Sequence, residues 1–218
     1  MARQPTERLN IRDEVAALKR ERTVSTAAEL FYEKGYDNST LDEVAERLGV
    51  TKPFIYANFG SKSALLAEIC ERGVRAALDE IEGVLAEELG PTDALRLFGK
   101  RYVTSILGNQ KNIAIYTREE KNLEPADARR LGEMRRRFFG QVAVLLQAGS
   151  DAGEFDLEDA NMAALAIGGA VSWSTFWYKP DGRLEVAGIA AEMTRLILGI
   201  AGAKRAPIQR KPVAAAVR

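Results

Sequence analysis

The sequence predicts an all-α fold of about nine helices, a small N-terminal three-helix unit followed by a larger helical domain. Apolar residues recur at three- and four-residue intervals in every segment, and no segment sustains the two-residue alternation of a strand. Capping residues and glycine or proline breaks punctuate the chain between those segments, so each apolar stripe has a start and a stop.

The first helix carries Val24, Ala27, Ala28 and Phe31 on one face and closes at Gly35. Thr40-Leu41-Asp42-Glu43 is a capping box: the threonine hydroxyl accepts from the Glu43 amide, and the Glu43 carboxylate reaches back. The helix it opens presents Leu41, Val44, Ala45 and Leu48 and ends at Gly49. Thr51 is expected to cap a short third helix whose first turn holds Pro53, where a missing amide proton is tolerated. Ile55 and Phe59 lie four apart on its inner face. Ser61 caps a long fourth helix, inward at Leu65, Ile69, Leu78, Ile81 and Leu85, which breaks at Gly90-Pro91. Further helices are expected at about 92–107, 110–120 and 125–148. Asp156 and Asp159 open a helix that Pro180 and Gly182 end, and a last helix at about 184–201 carries Val186, Ile189, Met193, Leu196, Ile197 and Ile200.

Asn161–Tyr178 is uncharged throughout and close to the shortest length that spans a bilayer. It contains two glycines, two serines, an asparagine and a threonine, and no second segment resembles it, which favours burial in protein over a membrane span.

The 218 residues are 46% hydrophobic and 28% charged, ordinary values for a folded soluble chain. The 31 basic and 31 acidic residues cancel, so affinity for nucleic acid must come from local placement of charge. Lys204, Arg205, Arg210, Lys211 and Arg218 form an acid-free tail over 203–218, expected to be disordered. Cys70 is the sole cysteine, which excludes an internal disulfide and points to a reducing compartment, and it reads as a buried small hydrophobe. Histidine is absent, which removes the commonest general base and metal ligand. With no phosphate-binding or dinucleotide glycine loop and no metal-ligand spacing, an enzyme is not expected, nor a metal or a cofactor.

Two capped helices joined by the turn Gly49-Val50-Thr51 meet the helix-turn-helix pattern. The second helix leaves Lys52, Pro53, Phe54, Tyr56 and Asn58 facing outward or sideways. An exposed ring and phenol suit a helix that enters a major groove, where apolar groups meet thymine methyls and polar tips meet phosphate. The alternative is an αα-corner inside a bundle, with Tyr56 and Lys62 merely solvated.

Residues 22–70 resemble the DNA-binding domain of the TetR family of one-component repressors. The resemblance runs without gaps through AAELFYEKGY, TLDEVAERLGV and TKPFIYANFGSKSALL. It implies that Thr40 and Lys62 clamp backbone phosphates, that Tyr56 reaches another, and that Thr51, Lys52, Pro53 and Phe54 meet base edges. Asn58 stands where histidine or tyrosine is common and Phe54 where a smaller residue is usual, which leaves the operator sequence open.

The same resemblance implies that the last two helices of two copies form a dimer. The uncharged helix supports this independently, since it needs cover on most faces. Gly168-Gly169 marks a close approach there, and the interface set read from the sequence is Gly168, Gly169, Ile189, Met193 and Ile197. Burial within one subunit is the other reading. A ligand pocket is expected among the middle helices, with candidate walls Tyr102, Ile106, Tyr116, Phe138, Phe139, Trp173 and Phe176, any of which could equally be plain core. Arg135-Arg136-Arg137 is either a solvated face or a phosphate clamp at the edge of that pocket; Arg135 is included with the candidate ligand residues. YTREEKNL, the G-x-F-D run ending at Asp156 and AVSWSTFWYKPDG are similar to TetR-type repressors of fatty-acid and steroid degradation, which sense acyl-coenzyme A thioesters.

These readings divide the chain into a DNA-binding unit (1–62), a ligand-binding and dimerisation domain (63–202) and a basic tail (203–218). They anticipate a cytoplasmic, homodimeric repressor, off the membrane, that binds an inverted-repeat DNA operator. A small hydrophobic ligand, foremost an acyl-coenzyme A, releases it; the alternative is a repressor of efflux or another pathway that senses a different hydrophobic molecule.

Overall fold

The computed structural model describes residues 11–203, so most of the basic tail expected over 203–218 lies outside them. Nine α-helices follow in order: α1 (Ile11–Lys34), α2 (Leu41–Leu48), α3 (Lys52–Phe59), α4 (Lys62–Leu85), α5 (Pro91–Gly108), α6 (Gln110–Glu119), α7 (Pro125–Asp151), α8 (Ala160–Trp177) and α9 (Val186–Ile200). A single 3₁₀ turn, Glu120–Asn122, joins α6 to α7, and no strand occurs among the described residues. No helix among them is long and apolar enough to cross a membrane.

The caps explain most of the boundaries. Thr40 and Glu43 form the expected capping box at 3.2 and 2.8 Å, and Gly49 closes α2 in the left-handed region (φ +67°) that glycine adopts without strain. Ser61 accepts from the Ala64 amide at 3.0 Å, and Asp159 accepts from Asn161 and Met162 at 2.8 and 3.0 Å. Thr51 holds the N-cap position of α3 with extended backbone, yet its hydroxyl makes no capping bond. The reason is local: Pro53 has no amide proton, and the Phe54 amide already donates to the Thr51 carbonyl at 3.0 Å. Two ends differ from the sequence reading. Helix α1 begins about three turns earlier, and α4 stops at Leu85, which is exposed.

Two apolar cores result. The first packs α1, α2 and α3 around Phe31, Val44, Ile55 and Leu66, and it draws in Val74, Ile115, Tyr116, Leu123 and Leu131 from α4, α6, α7 and the segment before α7. The second begins at Ala77 and gathers α4, α5, α7, α8 and α9 around Leu95, Phe98, Tyr102, Val142 and Ile167. The change of core falls inside α4, between Val74 and Ala77. Gln110 ties the two ends of the rear domain together, its amide donating to the carbonyls of Thr175 (2.7 Å) and Tyr178 (2.9 Å), so the start of α6 holds the end of α8.

The expected dimer set does not form one outer face. Ile189 and Ile197 are buried within the subunit, and at Ile197 Gly99 lets α9 close on α5: a Cβ there would stand 3.0 Å from Thr194 and 3.3 Å from Ile197. Gly168 is filled from inside by the Phe139 ring, Met193 is half-buried, and Gly169 alone of the five faces open space. What α8 leaves exposed is Asn161, Met162, Leu165, Ala166, Gly169, Ala170, Trp173, Phe176 and Trp177, with no charge among them, and α9 adds Leu196 and Ile200.

Candidate nucleic-acid interface and ligand cavity

The third helix is anchored by Ile55 and Phe59, both buried in the first core, so its outer face is fixed in register. Lys52, Pro53, Tyr56 and Asn58 are exposed on that face, with Thr51 at its start, Thr40 at the start of α2 and half-buried Lys62 at the start of α4. Phe54 is the exception. It turns half inward against the first core, with the Lys19 ammonium 5.7 Å from its ring centroid, so it belongs to the α1–α3 seam.

The charges around this face are paired in distinctive ways. The Lys52 ammonium donates to Asp42 on α2 at 2.5 Å, and that hydrogen bond holds the lysine above its ordinary pKa. Glu43 is held below the usual carboxylate range by the Lys34 ammonium first and the Thr40 amide second. Lys62 lies 4.1 Å from the Tyr36 ring centroid and has no acidic partner among the described residues, which leaves its charge available to a phosphate. The Asn58 amide is tied to its own helix, donating to the Phe54 carbonyl at 2.8 Å. Arg20 fastens the helix from behind: it donates to the Asn58 carbonyl at 3.0 Å, covers the Phe59 ring at 4.6 Å and pairs with Glu68. Lys19, Arg20 and Asp42 carry no signal of their own in the sequence: each meets α3 from another helix, through contacts that no local spacing records.

In the rear domain, a cavity of about 170 Å³ lies between α4, α5, α6 and α7. Tyr102, Ile106, Tyr116, Arg135, Phe138 and Phe139 all line it, which are six of the eight residues singled out above. Trp173 and Phe176 do not. They pack against each other, ring centroids 4.8 Å apart and tilted by 34°, on the exposed side of α8. The helical period of α8 separates them from Ser172, which does reach the cavity. The remaining walls, Gly73, Val74, Ala77, Ile113 and Thr117, are small or ordinary core residues that carry no sequence signal.

Burial pushes the Tyr116 phenol up to about 12, and it donates to Glu120 at 3.2 Å. Burial also raises Tyr102, against the opposing hydrogen bond with Ser172, so both phenols stay neutral donors at physiological pH. A wider groove of about 740 Å³ between α7 and α8 shares Arg135, Phe139 and Ser172 with the cavity and adds Arg136, Gly140, Asn161, Leu165, Gly168 and Gly169. Arg135 is paired with Glu120 at 3.4 Å and Arg137 with Glu82 at 2.7 Å, whereas Arg136 has no acidic partner among the described residues. Cys70 is buried in the first core, where burial pushes its thiol up to about 12.

Comparison with known proteins settles what class of molecule carries this pair of features. The model of bacterial regulatory proteins of the tetR family matches residues 24–69, and that of the tetracyclin repressor-like C-terminal domain matches residues 88–201. The chain belongs to the TetR family. It is a DNA-binding transcriptional regulator, and its relatives are regulators as well. The HTH-type transcriptional repressor KstR2 of Rhodococcus jostii is 25% identical over 186 residues, 83% of this chain and 89% of that protein. The TetR family regulator PfmR of Thermus thermophilus superposes with a TM-score of 0.76 at 29% identity, covering 84% of this chain and all of that one. AibR, solved with isovaleryl coenzyme A and operator DNA, shares the fold with a TM-score of 0.72 at 22% identity, over 82% and 97% of the two chains.

Proposed function

We propose that this TetR-family chain is a homodimeric repressor released from its operator by an acyl-coenzyme A thioester. The observation that carries the ligand class is the junction of two unlike spaces at Arg135, Phe139 and Ser172. One is a small cavity walled largely by aliphatic and aromatic groups, suited to an acyl chain. The other is an open groove edged by the unpaired Arg136, suited to the phosphates of a nucleotide-bearing carrier. KstR2, itself a transcriptional repressor, supports the repressor reading, and AibR, solved with isovaleryl coenzyme A and operator DNA, supports the ligand class.

The dimer reading rests on the uncharged exposed face of α8 together with Leu196 and Ile200 of α9. A two-fold dimer sets its two reading helices about 34–36 Å apart, which makes the operator an inverted repeat. At each half-site Thr51, Lys52 and Pro53 meet base edges, while Thr40, Tyr56 and Lys62 position the backbone. Release requires that the ligand bind the DNA-incompetent state more tightly. A tenfold loss of operator affinity needs about 1.4 kcal/mol of such coupling, and α4 spans from Lys62 to the cavity wall at Gly73, Val74 and Ala77.

A mobility-shift titration decides between the readings. Acyl-coenzyme A thioesters, matched free acids and coenzyme A alone are added to the protein–operator complex at two salt concentrations. Release by thioesters alone is expected. Release by the free acids or unrelated hydrophobic compounds, with no thioester effective, replaces the reading with a generic hydrophobic-ligand repressor; no shift at any salt removes the DNA-binding role itself.

A further inference from the structure

We infer that the cavity selects a short acyl group, of about four to six carbons, and that the Tyr102 and Ser172 hydroxyls mark where the thioester carbonyl stops. The inference rests on the acyl-coenzyme A reading above and sharpens its substrate class. An apolar cavity of about 150 Å³ accommodates benzene, a molecule of six carbons, so one of about 170 Å³ has room for an acyl group of similar size.

The walls give this size a physical basis. Tyr102 stacks nearly parallel on Phe98 at 5.0 Å and lies 5.1 Å from Phe138, which in turn packs edge-on against Phe139 at 5.0 Å. Four mutually packed rings cannot swing apart singly without opening a void elsewhere in the second core. On the opposite side, the space a side chain at Gly73 would take is filled by the Ile113 δ-methyl, 2.8 Å from the Cβ position. Ile113 thus stoppers the cavity between α4 and α6. The entrance is defined by the residues shared with the groove, and among them Ser172 supplies a hydroxyl to the same cavity that the buried Tyr102 phenol lines. A carbonyl placed there accepts from a phenol that burial keeps protonated. The aliphatic tail then points inward, and the carrier's phosphates lie outside along Arg136.

Calorimetric titration of the full-length protein, without DNA, with acetyl-, butyryl-, hexanoyl-, octanoyl-, lauroyl- and palmitoyl-coenzyme A and with coenzyme A alone tests the size. Affinity is expected to rise about fourfold per added methylene, about 0.8 kcal/mol, up to the hexanoyl thioester and then to fall. Ile113→Ala should move the optimum to a chain longer by about two carbons, and Gly73→Ala, which drives the Ile113 methyl inward, to a shorter one. Ser172→Ala should weaken all thioesters alike and leave the optimum in place. Affinity that keeps rising to lauroyl- or palmitoyl-coenzyme A overturns the short-chain inference and leaves the thioester reading standing. Coenzyme A alone binding as tightly as every thioester overturns the placement of the chain in the cavity, and no binding by any of them overturns both readings. An optimum unmoved by Ile113→Ala in a variant that melts like the parent overturns the assignment of Ile113 as the stopper.

Discussion

The DNA-reading unit and the rear domain are built from helices of the same kind, yet they encode their functional surfaces differently. In the reading unit the determinants are local: a capping box at Thr40 and Glu43, a left-handed glycine at 49, a proline at the start of α3. Each follows from residues within one or two turns, so the outer face of α3 could be placed by counting. In the rear domain the surfaces are made by helix crossings that no local pattern records. The stripe at Ile189, Met193 and Ile197 is regular, but regularity does not say whether it meets α5 or a second copy. Gly99, on another helix, decides it by letting α9 close on α5. A periodic stripe thus tells where a helix is covered, and a distant small residue tells by what.

The sharpest break of that comparison is a charge placed on either side of α9. Ile197→Glu buries an unpaired carboxylate and is expected to lose on the order of 4 kcal/mol or fail to fold. Leu196→Glu, one residue earlier and exposed, should keep its thermal melt but sediment as a monomer with weakened operator binding. A folded, monomeric Ile197→Glu protein would return that residue to the outer face.

The next effect lies in the reading unit. Lys62→Ala and Tyr56→Phe should weaken binding to all DNA sequences together, by about tenfold, and Lys62→Ala should lower the salt slope by about one. Fluorescence anisotropy on specific and scrambled duplexes checks this; loss confined to the specific duplex would make these residues base readers.

A pH effect separates the first core from the surface around it. Burial raises the Cys70 thiol from an ordinary 9.0 to about 12, so the folded protein keeps a proton that the unfolded chain releases near pH 9. That stability is whole below pH 9 and declines as pH rises from there toward 12. Denaturant melts across this range should show a shallower decline in Cys70→Ala. A native thiol that reacts with an aromatic disulfide at pH 8 as fast as free cysteine would contradict its burial.

The smallest effect tests the Lys52–Asp42 pair. An exposed pair adds about 0–1 kcal/mol, so Asp42→Asn should leave the melt nearly unchanged. It should alter preference among operator variants, because Lys52 is then free to reach base edges, and should steepen the salt dependence of DNA binding, because Asp42 no longer neutralises its charge. Unchanged salt dependence and preference would make the pair irrelevant to recognition.

Much of the helix order and the outer face of α3 were legible because caps and turns act over a few residues. Six of the eight ligand-side candidates line one cavity, since Tyr102 and Ile106 of α5, Tyr116 of α6 and Arg135, Phe138 and Phe139 of α7 lie on the inward faces of their helices. Trp173 and Phe176 do not join them: both sit on α8, whose 3.6-residue period turns their side chains outward. Phe54 escaped the sequence reading for another reason. Its half-burial is made against the first core and beside Lys19 of α1, a contact between helices that no pattern within α3 records.

The handover between cores inside α4 has a consequence for anyone who recombines regulators of this shape. A graft that exchanges the reading unit at residue 62 would cut through one cooperative body, because the first core continues along α4 to Val74 and borrows Ile115, Tyr116, Leu123 and Leu131 from further down the chain. The separable part is discontinuous in sequence. A working chimera would carry α4 as far as Val74 and bring those four side chains with it, joining the halves at Arg75-Ala76, where the helix passes from the first core to the second.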